Sequence, residues 1–374
     1  MLRKIGTLAV FFLTCLLLMT FCGRHKSEWK GEIYESDGVK IIRNPKKPMY
    51  DRDVLDLELE LSIGGKDVQK EEYMFTNIKE MCVDDQENIY LLDPHQKSIK
   101  KFSRKGNFLH AIGRSGQGPG EYGWPWDICL SSNRLAVLDL IYRRIILYSL
   151  DGEYIKHINT FKKGQPFDIK MNSNQEFIVY TLGYGEQNTY QLIRFNTDFK
   201  KLDVIDSFER EKIPLLDSLA PTIHWCLTQK DDIIWGFSDR YEIKIQNAQG
   251  KLTTRILRNY DPIPVDEQKY AEQIKIKFGG KPPGPQFQQR LPKFHPAFHS
   301  LLSDDKGRIY ISVFDKEEDS QSIYDVLDAK GRYLAKINLP VIPFLFKKGK
   351  LYSLKQDSDG YLLINRYQMK WKKL

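Results

Sequence analysis

The sequence predicts an all-β fold, a six-bladed β-propeller of four-stranded antiparallel blades. A short apolar run recurs six times, as NIYLLD at 88–93, RLAVLD at 134–139, EFIVYT at 176–181, DIIWGF at 232–237, RIYISV at 308–313 and KLYSLK at 350–355. Another apolar strand precedes each copy, and a third strand with a turn follows the first five. The resulting unit of about 40 to 50 residues has the size of one propeller blade.

The sixth copy has no fourth strand after it, and the N-terminal region offers one. The segment DVLDLELELSIGG at 53–65 alternates acidic residues and leucine with period two, which indicates a strand with one buried face. If this strand pairs with the sixth blade, two exposed sheet edges disappear at once. We therefore expect the N-terminal strand to close the ring.

Residues 1–22 have the layout of a secretory signal. A basic start precedes an uncharged run that ends at Phe21 and is short for a bilayer span. The segment resembles a bacterial lipoprotein signal, in which Cys22 would be acylated. Phe21 is bulkier than the residue usual at that position, so an uncleaved signal anchor is the alternative. Both interpretations predict an exported protein held in the bacterial cell envelope, with 23–30 as its tether and 31–374 as the propeller.

The charge distribution favours a solvated surface. Among 374 residues there are 57 basic and 49 acidic side chains, which gives a net charge of +8, and the lysines are scattered among acids. Such a pattern does not form the concentrated groove that nucleic-acid binding requires. We expect a monomer that needs no cofactor and binds no nucleic acid.

The glycine-rich stretch GRSGQGPGEY at 113–122 lies between the first two blades. It lacks the Lys-Ser/Thr pair of a phosphate-binding loop and the glycine spacing of a dinucleotide site. Its glycines suit a tight structural connection, because they allow positive φ and close backbone approach. Three of its polar residues remain candidate ligand contacts on the channel face: Arg114, Gln117 and Glu121.

Longer stretches resemble a known family. They are YMFTNIKEMCVDDQENIYLLDPHQKSIKKFSRKGNFLHAIGRSGQGPGEY, GVKIIRNPKKPMY and FHSLLSDDKGRIYISVF, and GQGPGEY is the most specific element. They resemble extracytoplasmic six-bladed propellers related to NHL-repeat proteins, many of which are bacterial lipoproteins. The resemblance implies the fold from about residue 31 onward. It implies no particular reaction, since most of that family has no assigned activity.

Cysteine and aspartate positions fit structural roles. Cys82, Cys129 and Cys226 fall at equivalent apolar sites on the innermost strands of three different blades, too far apart for a disulfide. We expect them to be small buried hydrophobes. Asp93 and Asp139 each end a second strand, where a carboxylate typically binds the amides of a neighbouring turn.

Histidines offer the most plausible route to metal chemistry. His224 and His299 stand at the start of innermost strands in blades four and five, and Asp168 stands near the same level in blade three. Imidazole and carboxylate are natural ligands of divalent ions. A metal-dependent lyase, lactonase or other hydrolase is therefore the alternative function, although hydrogen-bonded polar side chains in the channel are the simpler explanation of these residues.

The preferred hypothesis is a membrane-tethered, non-catalytic binding or scaffold protein. Between blades four and five, about 259–296 form an insertion with a predicted short helix at 265–277 and a proline-rich loop, which would serve as a binding lid or as a brace. The channel face and this insertion would hold a protein, peptide or glycan of the cell envelope. Candidate contacts at the rim are Trp124, Trp126, Tyr142, Arg143, Tyr184, Arg240 and His299.

Overall fold

The protein is described here from a computed structural model. The described residues are 28–50, 54–66, 70–131, 133–160, 164–183, 188–210, 219–268, 272, 292–314 and 323–372. The signal segment and Cys22 lie outside them, as does most of the helix predicted at 265–277. Within the described ranges, no helical segment combines the length and apolar character that a bilayer crossing requires.

Three strands precede the first blade and the other strands follow blade by blade. The leading strands are β1 (Glu32–Ser36), β2 (Val39–Asn44) and β3 (Leu55–Gly64), after which a short 3-10 helix spans Glu71–Tyr73. Blade 1 consists of β4 (Glu80–Val83), β5 (Ile89–Asp93), β6 (Ser98–Phe102) and β7 (Phe108–Ala111). The connection to blade 2 contains a small parallel pair, β8 (Arg114–Ser115) and β9 (Glu121–Tyr122).

Blades 2 to 4 repeat the meander. Blade 2 consists of β10 (Pro125–Ser131), β11 (Arg134–Asp139), β12 (Arg144–Ser149) and β13 (Tyr154–Asn159). Blade 3 consists of β14 (Gln165–Met171), β15 (Phe177–Leu182), β16 (Asn188–Phe195) and β17 (Lys201–Arg210). Blade 4 contains β18 (Ile223–Leu227), β19 (Ile233–Phe237), β20 (Glu242–Gln246) and β21 (Leu252–Arg258).

Blades 5 and 6 complete the ring. Blade 5 consists of β22 (Ser300–Ser303), β23 (Ile309–Ser312), β24 (Ile323–Leu327) and β25 (Tyr333–Asn338). Blade 6 begins with β26 (Ile342–Lys347), β27 (Lys350–Gln356) and β28 (Leu362–Trp371). Innermost strands of neighbouring blades pack on one another, and β26 packs on β4. The six-bladed all-β prediction is confirmed.

The predicted closure is also confirmed. Strand β3 pairs antiparallel with β28, from Leu55 opposite Trp371 to Gly64 opposite Leu363, and so supplies the outer strand of blade 6. The register shifts between Arg366 and Tyr367, which interrupts the alternation of β3. One consequence is that Leu59 faces solvent although the sequence pattern assigns it to the buried face.

Blade 4 contains the four expected strands, and β1 and β2 extend its sheet to six. A hairpin of β1 and β2 turns at Asp37 and Gly38, both with positive φ, and β2 runs parallel to β21 at the outer edge. The buried Asn44 side chain holds the hairpin end, because it donates to the Gly331 carbonyl and accepts from the Tyr333 amide. The hairpin covers an edge that would otherwise be open.

The core lies between the blades. Tyr90, Tyr122 and Tyr148 pack with branched aliphatic side chains between blades 1 and 2, and comparable clusters fill the other junctions. Each large side chain buried in this way contributes about 1.5–3 kcal/mol. Cys82, Cys129 and Cys226 are free thiols on innermost strands β4, β10 and β18.

Candidate functional site on the channel face

The connection between blades 1 and 2 is held by a buried ion pair. Asp139 is fully buried at the end of β11 and accepts hydrogen bonds from the Gly123 and Trp124 amides. The Arg144 guanidinium lies 3.4 Å from the same carboxylate and donates to the carbonyls of Gln117 and Glu121. Asp139 therefore caps the turn as the sequence predicts. Asp93 does the same in blade 1, where it accepts from the amides of residues 76, 77 and 96.

Most polar groups of the glycine-rich loop form hydrogen bonds with other residues of the same loop. Arg114 Nε donates to Glu121 Oε1 over 2.7 Å, and the Gly118 amide donates to Glu121 Oε2 over 2.9 Å. These two contacts hold the pKa of Glu121 below its usual range, the amide being the larger cause. Gln117 contributes its backbone carbonyl to Arg144. The loop is built as a structural connection, and Arg114 and Glu121 are each other's partners.

The predicted rim residues of blade 2 lie close together. Tyr142 packs beside Gly123, where a Cβ atom would meet its ring at 2.8 Å, and the Arg144 guanidinium lies 4.9 Å from the ring centre. The Trp124 carbonyl accepts from the Leu140 amide. Trp124, Tyr142 and Arg143 are each partly exposed. The turn after β11 and the start of β10 thus form one continuous patch at this edge of the channel face.

Trp126 connects this patch with its neighbours. Its indole Nε1 donates to the Phe167 carbonyl of blade 3 over 3.2 Å, and the Lys79 ammonium of blade 1 lies 4.1 Å from the ring centre. The ring also packs against the core between blades 2 and 3. Trp126 is consequently a brace between three blades as well as a partly exposed surface residue.

A row of aromatic rings crosses blade 3 towards blade 4. Neighbouring ring centres are 6.3, 6.1, 5.1 and 4.8 Å apart. The five rings are partly exposed and belong to four strands of blade 3 and one of blade 4. From the innermost to the outermost strand of blade 3 they are Phe167, Tyr180, Tyr190 and Phe208, and the fifth is Phe237 on β19 of blade 4. Together with Trp124, Trp126 and Tyr142 they form the aromatic belt, as we call it below.

Arg240, another predicted rim residue, has separate surroundings. Arg240 lies in the exposed turn after β19 and donates to Glu242 Oε2 over 2.9 Å. Arg255 donates to the other oxygen of Glu242, so this buried carboxylate is fully paired. Tyr184 lies outside the described residues.

The channel interior holds an ion cluster that no sequence motif indicates. Lys170 Nζ on β14 lies 3.4 Å from Asp168 Oδ1 and 3.5 Å from Glu80 Oε2 of blade 1. Burial opposes the charge of Lys170, but Asp168, Glu80 and Asp127 together raise its pKa well above the usual range. Burial also raises the pKa of Asp127 well above normal. Asp168, one of the candidate metal ligands, is thus the partner of a lysine.

The three histidines of blades 4 and 5 form a separate group. Burial lowers the pKa of His224 to about 4, assisted by the nearby His299, and burial likewise lowers the pKa of His299 to about 4, assisted by His295. The rings of His295 and His299 lie 3.9 and 3.7 Å from that of Phe314. In the part of the chain that the structure describes, no three His, Cys, Asp or Glu side chains converge as metal ligands would.

A cavity of about 320 Å³ opens beside these histidines, at the junction of blades 4 and 5. It lies where β21 and β23 end and β22 begins, which by strand direction is the channel face. The insertion leaves and rejoins the propeller here, since Pro264 bridges to Phe294 and the His295 amide donates to the Ile263 carbonyl. Five separate chain segments therefore meet around one cavity.

The comparisons with known proteins assign a family. The family described as "Domain of unknown function (DUF4934)" matches residues 69–327, more than half of the chain. The chain belongs to the DUF4934 family. No curated protein matches the sequence significantly.

Solved structures similar to this DUF4934 chain share its fold. A candidate exported protein from Bacteroides fragilis NCTC 9343 has a TM-score of 0.58 at 12% identity, covering 89% of this chain and 100% of its own. A member of the DUF4221 family from Bacteroides vulgatus ATCC 8482 has a TM-score of 0.53 at 11% identity, covering 85% and 99%. At such low identity the likeness supports the fold alone. The expected relation to NHL repeats stays a prediction.

Sequence reasoning missed two features that depend on long-range packing, the cavity at the blade 4–5 junction and the ion cluster in the channel. The cavity at the blade 4–5 junction in this DUF4934 chain takes residues from positions 46, 258–263, 295–297, 313–314 and 336. No local pattern joins these positions. The channel ion cluster did leave a signal, because charged residues in the apolar innermost strand FDIKM are unusual and Lys170 is flanked two residues away by Asp168.

Proposed function

We propose that this DUF4934 protein is a non-catalytic binding or scaffold protein of the bacterial cell envelope. It is exported by residues 1–22, tethered through a lipid on Cys22, and holds a protein, peptide or glycan on its channel face. The single observation that carries the binding proposal is the aromatic belt. The description of the Bacteroides fragilis neighbour as a candidate exported protein supports the proposed location.

The belt has the physical properties of a recognition surface. Its rings are partly exposed, and their few rotatable bonds keep the entropy cost of binding low. Tyr180, Phe208 and Phe237 also pack against the core between blades 3 and 4. Two of the rings are held in place by neighbouring blades, since Trp126 donates to the Phe167 carbonyl and the hydroxyls of Tyr180 and Thr222 share a hydrogen bond. Since the scaffold beneath is a closed ring, a partner meets a preorganised surface rather than one that must first be ordered.

Three titratable groups, Lys170, His224 and His299, support binding over catalysis. Lys170 is held between carboxylates, and His224 and His299 are held neutral by burial, so none of them has a pKa near 7 as a general acid or base would. Their interactions are those of a packed interior. The partner would therefore contact the rim rather than enter the channel to react.

A pair of double variants tests the proposal. Trp124→Ala with Arg143→Ala changes the rim patch, and Trp124 is preferable to Trp126 because Trp126 also packs against the core. The matched control is Tyr34→Ala with Arg43→Ala, an exposed aromatic–arginine pair on the outer hairpin whose ring and guanidinium lie 5.8 Å apart. The purified soluble body is used to capture partners from a cell-envelope extract, and the captured amount is measured.

The rim variant should weaken capture by more than tenfold, about 1.4 kcal/mol, while the control binds as the parent protein does. Undiminished capture by a normally folded rim variant would refute binding through the belt. If both double variants capture equally reduced amounts of partner, the reduction does not arise from the channel face.

The anchor is tested separately. Cys22→Ser should abolish incorporation of labelled fatty acid and leave the precursor unprocessed, because acylation requires the thiol. Labelling that persists in this variant would exclude Cys22 as the lipidated residue and favour the signal-anchor alternative.

A further inference from the structure

The cavity at the junction of blades 4 and 5 is distinct from the aromatic belt. Its outer wall includes Lys46, from the segment that follows the N-terminal hairpin, and Lys336 of β25. Its inner wall includes His295 and Phe314, which lie next to His299 at the start of blade 5. The cavity therefore runs outward from the histidine group to the rim of the propeller.

The wall of this cavity is predominantly cationic. Lys46, Lys336 and Arg258 line it, against one lining carboxylate, Asp261. Asp325 is fully buried behind Arg258 and lies 2.6 Å from its guanidinium. Even with Asp325 counted, cations outnumber anions by one among the described residues around the cavity. The Lys46–Asp261 pair is largely exposed, so an anionic ligand could join or replace it at little cost.

The remaining wall is apolar and partly aromatic. Tyr260 and Phe314 provide ring surfaces, and Ile263, Pro296 and Val313 provide aliphatic surface. A volume of about 320 Å³ is within the range of small-molecule sites. It corresponds to roughly ten water molecules. The space suits a small compound with an apolar body and one charged group.

Two buried polar atoms of the lining residues lack partners among the described residues. They are Arg258 Nε and His295 Nδ1. A buried group of this kind costs about 1–3 kcal/mol unless water or a ligand satisfies it. By contrast, Arg258 Nη1 donates to Asp325 and Nη2 donates to the Lys46 carbonyl. Both atoms without partners are covered by protein, so they mark incomplete polar pairing at this junction.

We propose that this cavity binds a small organic acid, with its carboxylate near Lys46 and Lys336 and its apolar body against Tyr260 and Phe314. The positive wall selects the negative group, and the rings and aliphatic side chains select the body. This site lies outside the aromatic belt and does not depend on the partner proposed above.

Calorimetric titration of the soluble body tests the proposal with defined probes. Benzoate and phenylacetate represent an apolar body with a carboxylate, and benzamide is the uncharged counterpart of benzoate. We expect both acids to bind with a dissociation constant of about 1 mM or tighter, and benzamide to bind at least tenfold more weakly. Failure of both acids to bind, or equal binding of benzoate and benzamide, would overturn the proposal.

Variants locate the binding. Lys336→Met removes a lining cation while keeping much of the side-chain bulk, and Phe314→Leu reduces the aromatic wall. Lys230→Met, in an exposed turn of blade 4, is the matched control. Each lining variant should weaken benzoate binding about tenfold, and the control should leave it unchanged. If both lining variants bind benzoate like the parent protein, the acid binds elsewhere and the proposal fails.

Discussion

Two blade junctions of this propeller are built around the same element, a buried arginine–aspartate pair, but differ in how the surrounding space is filled. At the connection between blades 1 and 2, Arg144 contacts Asp139 and also donates to two carbonyls of the glycine-rich loop. At the junction of blades 4 and 5, Arg258 contacts Asp325 but keeps Nε unpaired beside a cavity. The first junction is closed by its own loop, whereas the second leaves room for a ligand.

The difference follows from the segments that fill each junction. The loop at 113–122 approaches closely, since a Cβ on Gly113 would lie 2.5 Å from the Tyr122 ring and 2.6 Å from the Tyr148 hydroxyl. Only glycine permits such packing. The blade 4–5 junction is instead bordered by the ends of an insertion and by the segment after the N-terminal hairpin, which pass around the space rather than through it.

The largest effects are expected from breaking the two buried pairs. Arg144→Met and Arg258→Met each leave a buried carboxylate without its cation, which typically costs about 3–5 kcal/mol of unfolding free energy. Arg144→Met should cost more, because it also removes two hydrogen bonds to the loop while Arg258→Met removes one to a carbonyl. Chemical denaturation measures both values. A smaller loss for Arg144→Met would contradict the view that the loop depends on this side chain.

Acidification should affect the blade 4–5 junction selectively. The folded-state pKa values of His224 and His299 are lowered to about 4, so the folded protein binds protons less readily than the unfolded chain. The contribution of each histidine to the unfolding free energy has its full value above about pH 6.5 and is lost as the pH falls towards 4. The loss is on the order of 3 kcal/mol for each histidine.

The measurement is the unfolding free energy at several pH values in this range. A variant with His224→Gln and His299→Gln should show a much flatter dependence on pH. Hydrogen exchange should reveal opening at blades 4 and 5 before it reaches the connection between blades 1 and 2. An unchanged pH dependence in the double variant would contradict the assignment to these histidines.

A smaller effect is expected from glycine substitutions that separate backbone strain from crowding. Gly113→Ala must tolerate a φ of +66° and contacts with two buried tyrosines, which we expect to cost about 2–4 kcal/mol. Gly38→Ala has a similar φ of +72° but no neighbour within 4 Å, so about 1–2 kcal/mol is expected from strain alone. Thermal unfolding compares the two. Equal losses would mean that the loop is not tightly packed.

Much of the fold could be predicted because it depends on local periodicity. The six apolar runs and the alternating closing strand follow from a period of two and from the need to cover sheet edges. The outer hairpin was missed even though Asp37-Gly38 is a strong turn signal. Every residue of β1 is exposed, so no apolar pattern marks it, and its placement depends on the distant contacts of Asn44.

The candidate site was less predictable. Aromatic side chains in the turns of blade 2 could be assigned to the rim from strand direction alone. The stacking of five rings across blade 3 requires the registers of β14 to β17, which the sequence does not specify precisely. The cavity depends on how residues more than 200 positions apart, such as Lys46 and Arg258, come together.

Site-specific photocrosslinking in living cells tests the proposed binding face most directly. A photoreactive phenylalanine derivative would replace Tyr142 on the rim or Tyr34 on the outer hairpin, both of which are tyrosines and therefore tolerate an aromatic ring. If the channel face holds a partner, irradiation should produce a higher-mass adduct from position 142 and none from position 34. An adduct from position 34 alone, or from neither position in a protein that is correctly exported and folded, would contradict binding at the aromatic belt.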